Sequence, residues 1–204
     1  MHHDFTPERI PDGFAWFNEP QAFGFERGLG LAMTARAGTD FWQRTHYGFR
    51  RDDGHCLLTT RTGDFSLETG VESSPRARYD QCGLMVRFDG ENWIKSSVEY
   101  EDPQTSRLGS VVTNLGFSDW ATQDISSSVR SLWHRVSRRG SDFLVEWSPD
   151  GRDWRQMRIA HLHALGADSE LQVGIYACSP LGDGFACRFA YIDIGESRWN
   201  GGES

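Results

Sequence analysis

Alternation of side chains is the feature that most restricts this chain. Along Gly83–Asp102, GLMVRFDGENWIKSSVEYED, apolar and polar residues change places with a period of two on either side of an Asp-Gly pair. Successive Cβ atoms of a strand point to opposite faces, so the stretch reads as two antiparallel strands joined by a tight turn. The same reading places strands at Leu29–Thr34, Cys56–Arg61, Asp64–Val71, Gln81–Phe88, Asn92–Tyr100 and Arg107–Asn114. It continues through Leu132–Arg138, Asp142–Ser148, Trp154–Ile159, Leu171–Ala177 and Gly184–Ile194. Asp-Gly pairs at 53/54, 89/90, 150/151 and 183/184 favour reversals, because glycine accepts positive φ without a Cβ clash. A short helix is expected around His161–Leu165. Many strands without αβ alternation predict an all-β sandwich. For 204 residues, one domain over 14–196 is expected, with a lead-in at 1–13 and a frayed tail at 197–204.

The period of two also sorts faces. Leu84, Val86 and Phe88 fall on one side of their strand, with Met85 and Arg87 on the other. In the next strand Ile94, Ser96, Val98 and Tyr100 are expected inward, with Trp93, Lys95, Ser97 and Glu99 outward. The rule sets Val173, Ile175 and Ala177 inward with Tyr176 outward, and Phe143, Val145 and Trp147 inward with Glu146 outward. If these strands are neighbours in one curved sheet, Arg87, Trp93, Lys95, Glu99, Glu146 and Tyr176 line a groove of charges and aromatic plates. The plainer alternative is a solvated sheet dressed with cross-strand ion pairs, each contributing roughly 0.2–1 kcal/mol.

Composition removes several function classes. Twenty-one basic against 29 acidic residues give a net charge of −8, and no Lys/Arg run exceeds a pair, so a nucleic-acid partner is not expected. No apolar run approaches the roughly 18 residues of a membrane span, and MHHDFTPERI has neither the apolar core nor the cleavage site of a signal peptide. A cytoplasmic protein with no membrane partner is the expectation. Cys56, Cys82, Cys178 and Cys187 show no CxxC spacing and read as reduced, mostly buried thiols.

Five segments in order, TDFWQRTHYGFRRDDGH, DQCGLMVRFDGENWIKSSVEYED, SVVTNLGFSDWA, VEWSPDGRDW and VGIYACSPLGDGF, together resemble the family called domain of unknown function 1349 (regulation of enolase protein 1-like). The resemblance runs from about Phe14 to Ile194. It implies a concanavalin A-like jelly roll of the lectin/glucanase superfamily: two antiparallel sheets, one with a concave face. It implies no activity, since a fold shared with lectins is not evidence of sugar binding. Glucanases of this superfamily carry a Glu-x-Asp-x-Glu strand, whereas VEYED here offers Glu99, Glu101 and Asp102.

Glycoside hydrolysis needs two carboxyl groups, about 5–5.5 Å apart for retention or 6.5–9.5 Å for inversion. Glu99 and Glu101, two residues apart on a strand, would stand roughly 6–7 Å apart at Cα, and Glu99 with Glu146 is the other possible dyad. Against the first pair, Glu101 ends its strand before Pro103 and Lys95 is the simpler partner for Glu99. His46 and His55, and His161 and His163, lack a third ligand at metal spacing. No cofactor is therefore expected; calcium, which this fold often carries, would have only RRDDGH and PLGDGF as acidic glycine loops. The Ser148, Asp150, Gly151, Trp154 pattern resembles an Asp-box turn and reads as structural. Two loops, with Trp42, His46 and Tyr47 and with Asp119 and Trp120, are expected at the ends of the groove. The expected function is a binding module for a saccharide or related polar metabolite. The alternatives are a glycan-active hydrolase using Glu99 with Glu101 or Glu146, and a regulatory protein that docks on a metabolic enzyme, suggested only by the name of the family's fungal member.

Overall fold

The computed structural model describes residues 1–5, 8–166 and 168–199, and among them no helix occurs. In chain order the first strands are β1 His2–His3, β2 Ala15–Phe17, β3 Ala22–Glu26, β4 Gly30–Thr34, β5 Phe41–Gln43 and β6 Arg50–Asp52. Then come β7 His55–Arg61, β8 Ser66–Ser74, β9 Gln81–Arg87, β10 Trp93–Tyr100, β11 Thr105–Asn114 and β12 Phe117–Ser126. The last are β13 Ser131–Arg139, β14 Asp142–Ser148, β15 Arg155–His161, β16 Leu171–Cys178, β17 Ala186–Phe189 and β18 Ile192–Gly195.

Two antiparallel sheets stack face to face as a jelly-roll sandwich. One has the order β15-β14-β13-β8-β17-β4-β3, with β18 also paired to β8 and β1 to β18; the other is β12-β11-β10-β9-β16-β7-β2. Between them lies the main core, in which Leu84, Val86, Ile94, Val173 and Ile175 of the seven-stranded sheet meet Leu67, Val136, Val145 and Phe189 of its partner. Leu84, Val86, Ile94, Val173, Ile175 and Val145 are inward positions that alternation assigns, whereas Trp147, also expected inward, is half-buried and outside this cluster. Phe88 also departs from alternation: the residue lies one past the end of β9, is 37% exposed, and begins the turn to Asn92.

Other expectations are revised by local geometry. His161–Leu165 forms a single turn closed by Leu165 N donating to Leu162 O at 3.2 Å, and no helix. Gly184–Ile194 breaks into β17 and β18, each pairing with β8. Of the four Asp-Gly pairs, only Gly151 and Gly184 take positive φ. Gly54 is small for another reason: a Cβ there would stand 2.2 Å from the Phe41 ring. The lead-in residues His2 and His3 add a short strand beside β18, and in the tail Arg198 pairs with Glu68 and Asp193. Residues 200–204, expected to fray, lie outside the described residues. No helix among those described is long and apolar enough to cross a membrane.

A second apolar cluster forms on the opposite face of the seven-stranded sheet. Cys56, Leu58, Met85, Trp93, Val111, Tyr176 and Cys178 pack there under Phe41 and Trp42 of the β5–β6 hairpin. The hairpin therefore roofs part of what would otherwise be an open concave sheet.

Candidate functional site: a roofed cup on the concave sheet

Strand register fixes what the concave face presents. Trp120, Val111, Lys95, Met85, Gly174 and Leu58 form one row across the strands, and Glu99 beside Gln81 lies two rows on. Between them is a row with Gly109, Ser97 and Gly83. A Cβ on Gly83 would stand 1.9 Å from the Ser96 carbonyl oxygen, so the neighbouring strand approaches too closely for a side chain, and the small residues of this row leave the floor recessed.

The recess is a pocket of about 380 Å³. Lys95, Glu99 and Gln81 make its floor. Trp42, Tyr47, Phe49 and Arg51 of the hairpin form one wall, with Asp40 just before it. Trp120 of β12, Tyr79 before β9, and Pro180 with Leu181 after β16 complete the rim. The rim aromatics support one another: Tyr47 stacks on Phe49 with centroids 5.7 Å apart, and Tyr79 meets Trp120 edge-on at 6.4 Å.

The hairpin is bolted down. Arg87 donates twice to the Asp52 carboxylate, at 2.8 and 2.7 Å, with its guanidinium over the Phe17 ring. Gln43 N donates to Ser118 Oγ at 2.9 Å, and Arg44 donates to Gly116 O at 2.9 Å. Asp53 accepts from Arg51 and from the Asp40 amide, so both acids of RRDDGH are engaged by protein groups. Among the described residues no group of three or more His, Cys, Asp or Glu is arranged to hold a metal ion.

The floor carries buried charge. Lys95 is 2% exposed and donates to Gln81 Oε1 at 2.7 Å; the same oxygen accepts from Tyr176 OH at 2.9 Å. Asp40 Oδ1 and Glu99 Oε1 each stand 3.9 Å from Lys95 Nζ. Glu99 is 7% exposed, and its burial pushes the carboxyl pKa up to about 7 despite the attraction of Lys95. For Lys95 the two carboxylates offset the desolvation that burial imposes, and the ammonium titrates above its ordinary range.

Of the residues the sequence singles out, the cup brings together Lys95, Glu99, Trp42, Tyr47 and Trp120. The others stand elsewhere. Trp93 is fully buried beneath the hairpin, edge-on to Phe41, and no stacking plate. Arg87 is consumed by Asp52, and Tyr176 lies under the floor, where it holds Gln81. His46 is an exposed turn residue with positive φ, its ring on Tyr47. Asp119 faces away from its neighbour Trp120 and pairs with Arg158. Glu146 is on the other sheet: β14 places it beside Arg135 in a network with Glu68, and no dyad with Glu99 exists. Glu101 is held by Arg78 and Arg107 outside the cup. Sequence reasoning missed Asp40, Phe49, Arg51, Tyr79, Gln81, Pro180 and Leu181. Gln81 shares the parity of Met85 and Arg87, so extending the alternation four residues back finds it; the loop residues give no periodic signal.

The family model described as "Protein of unknown function (DUF1349)" matches residues 16–197. "Regulation of enolase protein 1" of Saccharomyces cerevisiae is 34% identical over 175 residues, covering 86% of this chain and 85% of the relative. A solved structure of a functionally unknown protein from Saccharomyces cerevisiae matches with a TM-score of 0.80 at 30% identity, over 90% of this chain and 96% of that one. The GH43 BlXynB protein from Bacillus licheniformis matches with a TM-score of 0.73 at 15% identity, over 96% of this chain but 39% of that chain, a likeness of fold alone.

Proposed function

This chain belongs to the DUF1349 family, described as of unknown function, and from that premise we propose a non-catalytic binding module whose cup takes a carbohydrate or related polar metabolite. The observation that carries this reading is the floor. Lys95 and Glu99 are buried polar groups with hydrogen-bonding capacity unspent on protein, set beneath a ring of aromatic side chains. Buried polar groups are costly without partners, and a hydroxyl-rich ligand supplies them while its apolar ring faces pack on the walls.

The test is a thermal-shift screen against mono- and oligosaccharides, sugar phosphates and related polyols, since a ligand of the folded state raises stability by RT ln(1 + [L]/Kd). A saccharide shift is expected. Tyr47, 52% exposed, provides the control: Tyr47→Ala should weaken binding with little change in the ligand-free Tm. No shift with any compound at millimolar concentration would remove the reading.

A second reading is docking on a metabolic enzyme. It is favoured by the name of the yeast relative and by the exposed apolar rim of Tyr47, Phe49 and Leu181. Co-purification abolished by a saccharide competitor would place both events at the cup; co-purification indifferent to it would separate them. Hydrolysis of an oligosaccharide panel, lost in Glu99→Gln, would instead mark a glycan-active enzyme.

A further inference from the structure

Three features of the cup restrict its ligand further than the reading above, on which this inference rests. The first is hydrogen-bond accounting on the floor. Lys95 has three N–H donors, and one goes to Gln81 Oε1 at 2.7 Å. The two carboxylate oxygens beside it, at 3.9 Å, are ion-pair neighbours beyond hydrogen-bond reach. Glu99 makes no hydrogen bond among the described residues. A hydroxyl oxygen within hydrogen-bond reach of both Nζ and Oε1 accepts a second N–H of the ammonium and donates to the carboxyl, giving Lys95 its second hydrogen bond and Glu99 its first.

The second feature is charge. Asp40 and Glu99 flank the one ammonium on the floor, and the Arg51 guanidinium of the wall is spent on Asp53 and Gly38 O, so a phosphate or carboxylate seated against Lys95 meets Asp40 and, above about pH 7, an ionised Glu99. The third is closure. Trp120 and Tyr79 meet edge-on at one side, the hairpin stands at another, and Pro180 with Leu181 at a third. A concave sheet left open would hold a run of units. Here the walls line a half-open cup of about 380 Å³, toward the small end of the roughly 300–1,000 Å³ typical of small-molecule sites.

We propose that the cup is specific for a single uncharged sugar ring, free or at a chain end, held by a hydroxyl bridging Lys95 and Glu99. Internal segments of a polymer and phosphorylated or carboxylated sugars are excluded.

Calorimetry and saturation-transfer NMR on the full chain test this with glucose, galactose, mannose, xylose and arabinose, glucose 6-phosphate, glucuronate, and linear oligomers of each aldose. The expected result is a neutral aldose bound within about two-fold as tightly as its oligomer, with saturation confined to the terminal ring. The phosphate and the uronate should bind at least about ten-fold more weakly than the parent sugar. Affinity that climbs with oligomer length, or preference for the charged sugars, overturns this inference and leaves the binding-module reading standing. Silence from every probe removes both. Trp120→Ala takes away one wall, and the oligomer should then outbind the monomer; Tyr79→Ala is the second variant should the first not fold. Retained monomer preference in the folded variant overturns the role given to the wall.

Discussion

Glu99→Gln isolates the electrostatic cost of the cup. Glu99 is buried with its pKa at about 7, against 4.5 for an ordinary glutamate, so the folded state holds this proton more tightly than the unfolded chain does. Stability therefore falls as pH rises from 4.5 to about 7 and levels off above, where both states are ionised. At 1.36 kcal/mol for each pKa unit, the total is on the order of 3 kcal/mol. Glutamine keeps the shape and removes the titration. The stability difference between variant and parent should thus move in the variant's favour by about that amount between about pH 4 and about pH 8, or roughly 6–12 °C in Tm for a chain this size. Groups common to both proteins cancel in the difference, and the pull of Lys95 on Glu99 is already contained in its position near 7. Thermal and urea unfolding of both proteins across that range read it directly. Parallel stability curves, or a variant that loses ground as pH rises, would refute a carboxyl destabilised by burial.

Two further outcomes follow from the roof and the core. Arg87→Ala leaves Asp52 without its bidentate partner and should cost about 3 kcal/mol in urea unfolding, with lost hydrogen-exchange protection concentrated over β5–β6; unchanged protection there would show that the hairpin stands without this bolt. His134 is buried between the sheets beside Ser96 Oγ, and burial lowers its pKa from 6.5 to about 4. Its contribution to stability is complete above 6.5 and lost as pH falls toward 4, so its NMR titration midpoint should lie near 4; a midpoint near 6.5 would mean the ring reaches water.

Alternation read the sandwich well because it reports which residues share a face. It does not report whether that face is covered, or by which part of the chain. Trp93, Lys95 and Glu99 share the outward parity assigned to them, yet Trp93 is core because residues 41–52, distant in sequence, fold over it. Glu146 has outward parity too, but on the other sheet, and strand order is a long-range property that local pattern does not encode. β12, FSDWATQDIS, escaped notice for a different reason: as the edge of its sheet it is mostly exposed on both faces and carries little apolar alternation. Asp40 and Tyr79 reach the cup from loops, where no period exists to be read. The resemblance to the family carried the concave face correctly and gave no residue of the cup.

The anchoring of the roof is confined to its base. Its bolts lie on β5, β6 and Arg44, whereas Tyr47 and Phe49 project from the tip with about half their surface in water and pack chiefly on each other and on hairpin neighbours. Exposed positions of this kind tolerate substitution within about 0.5 kcal/mol. Lys95, Glu99 and Gln81 of the floor, by contrast, lie on β9 and β10, strands that also build the sandwich. Replacing Tyr47 or Phe49 therefore reshapes one wall of the cup while leaving the sandwich and the base of the hairpin in place.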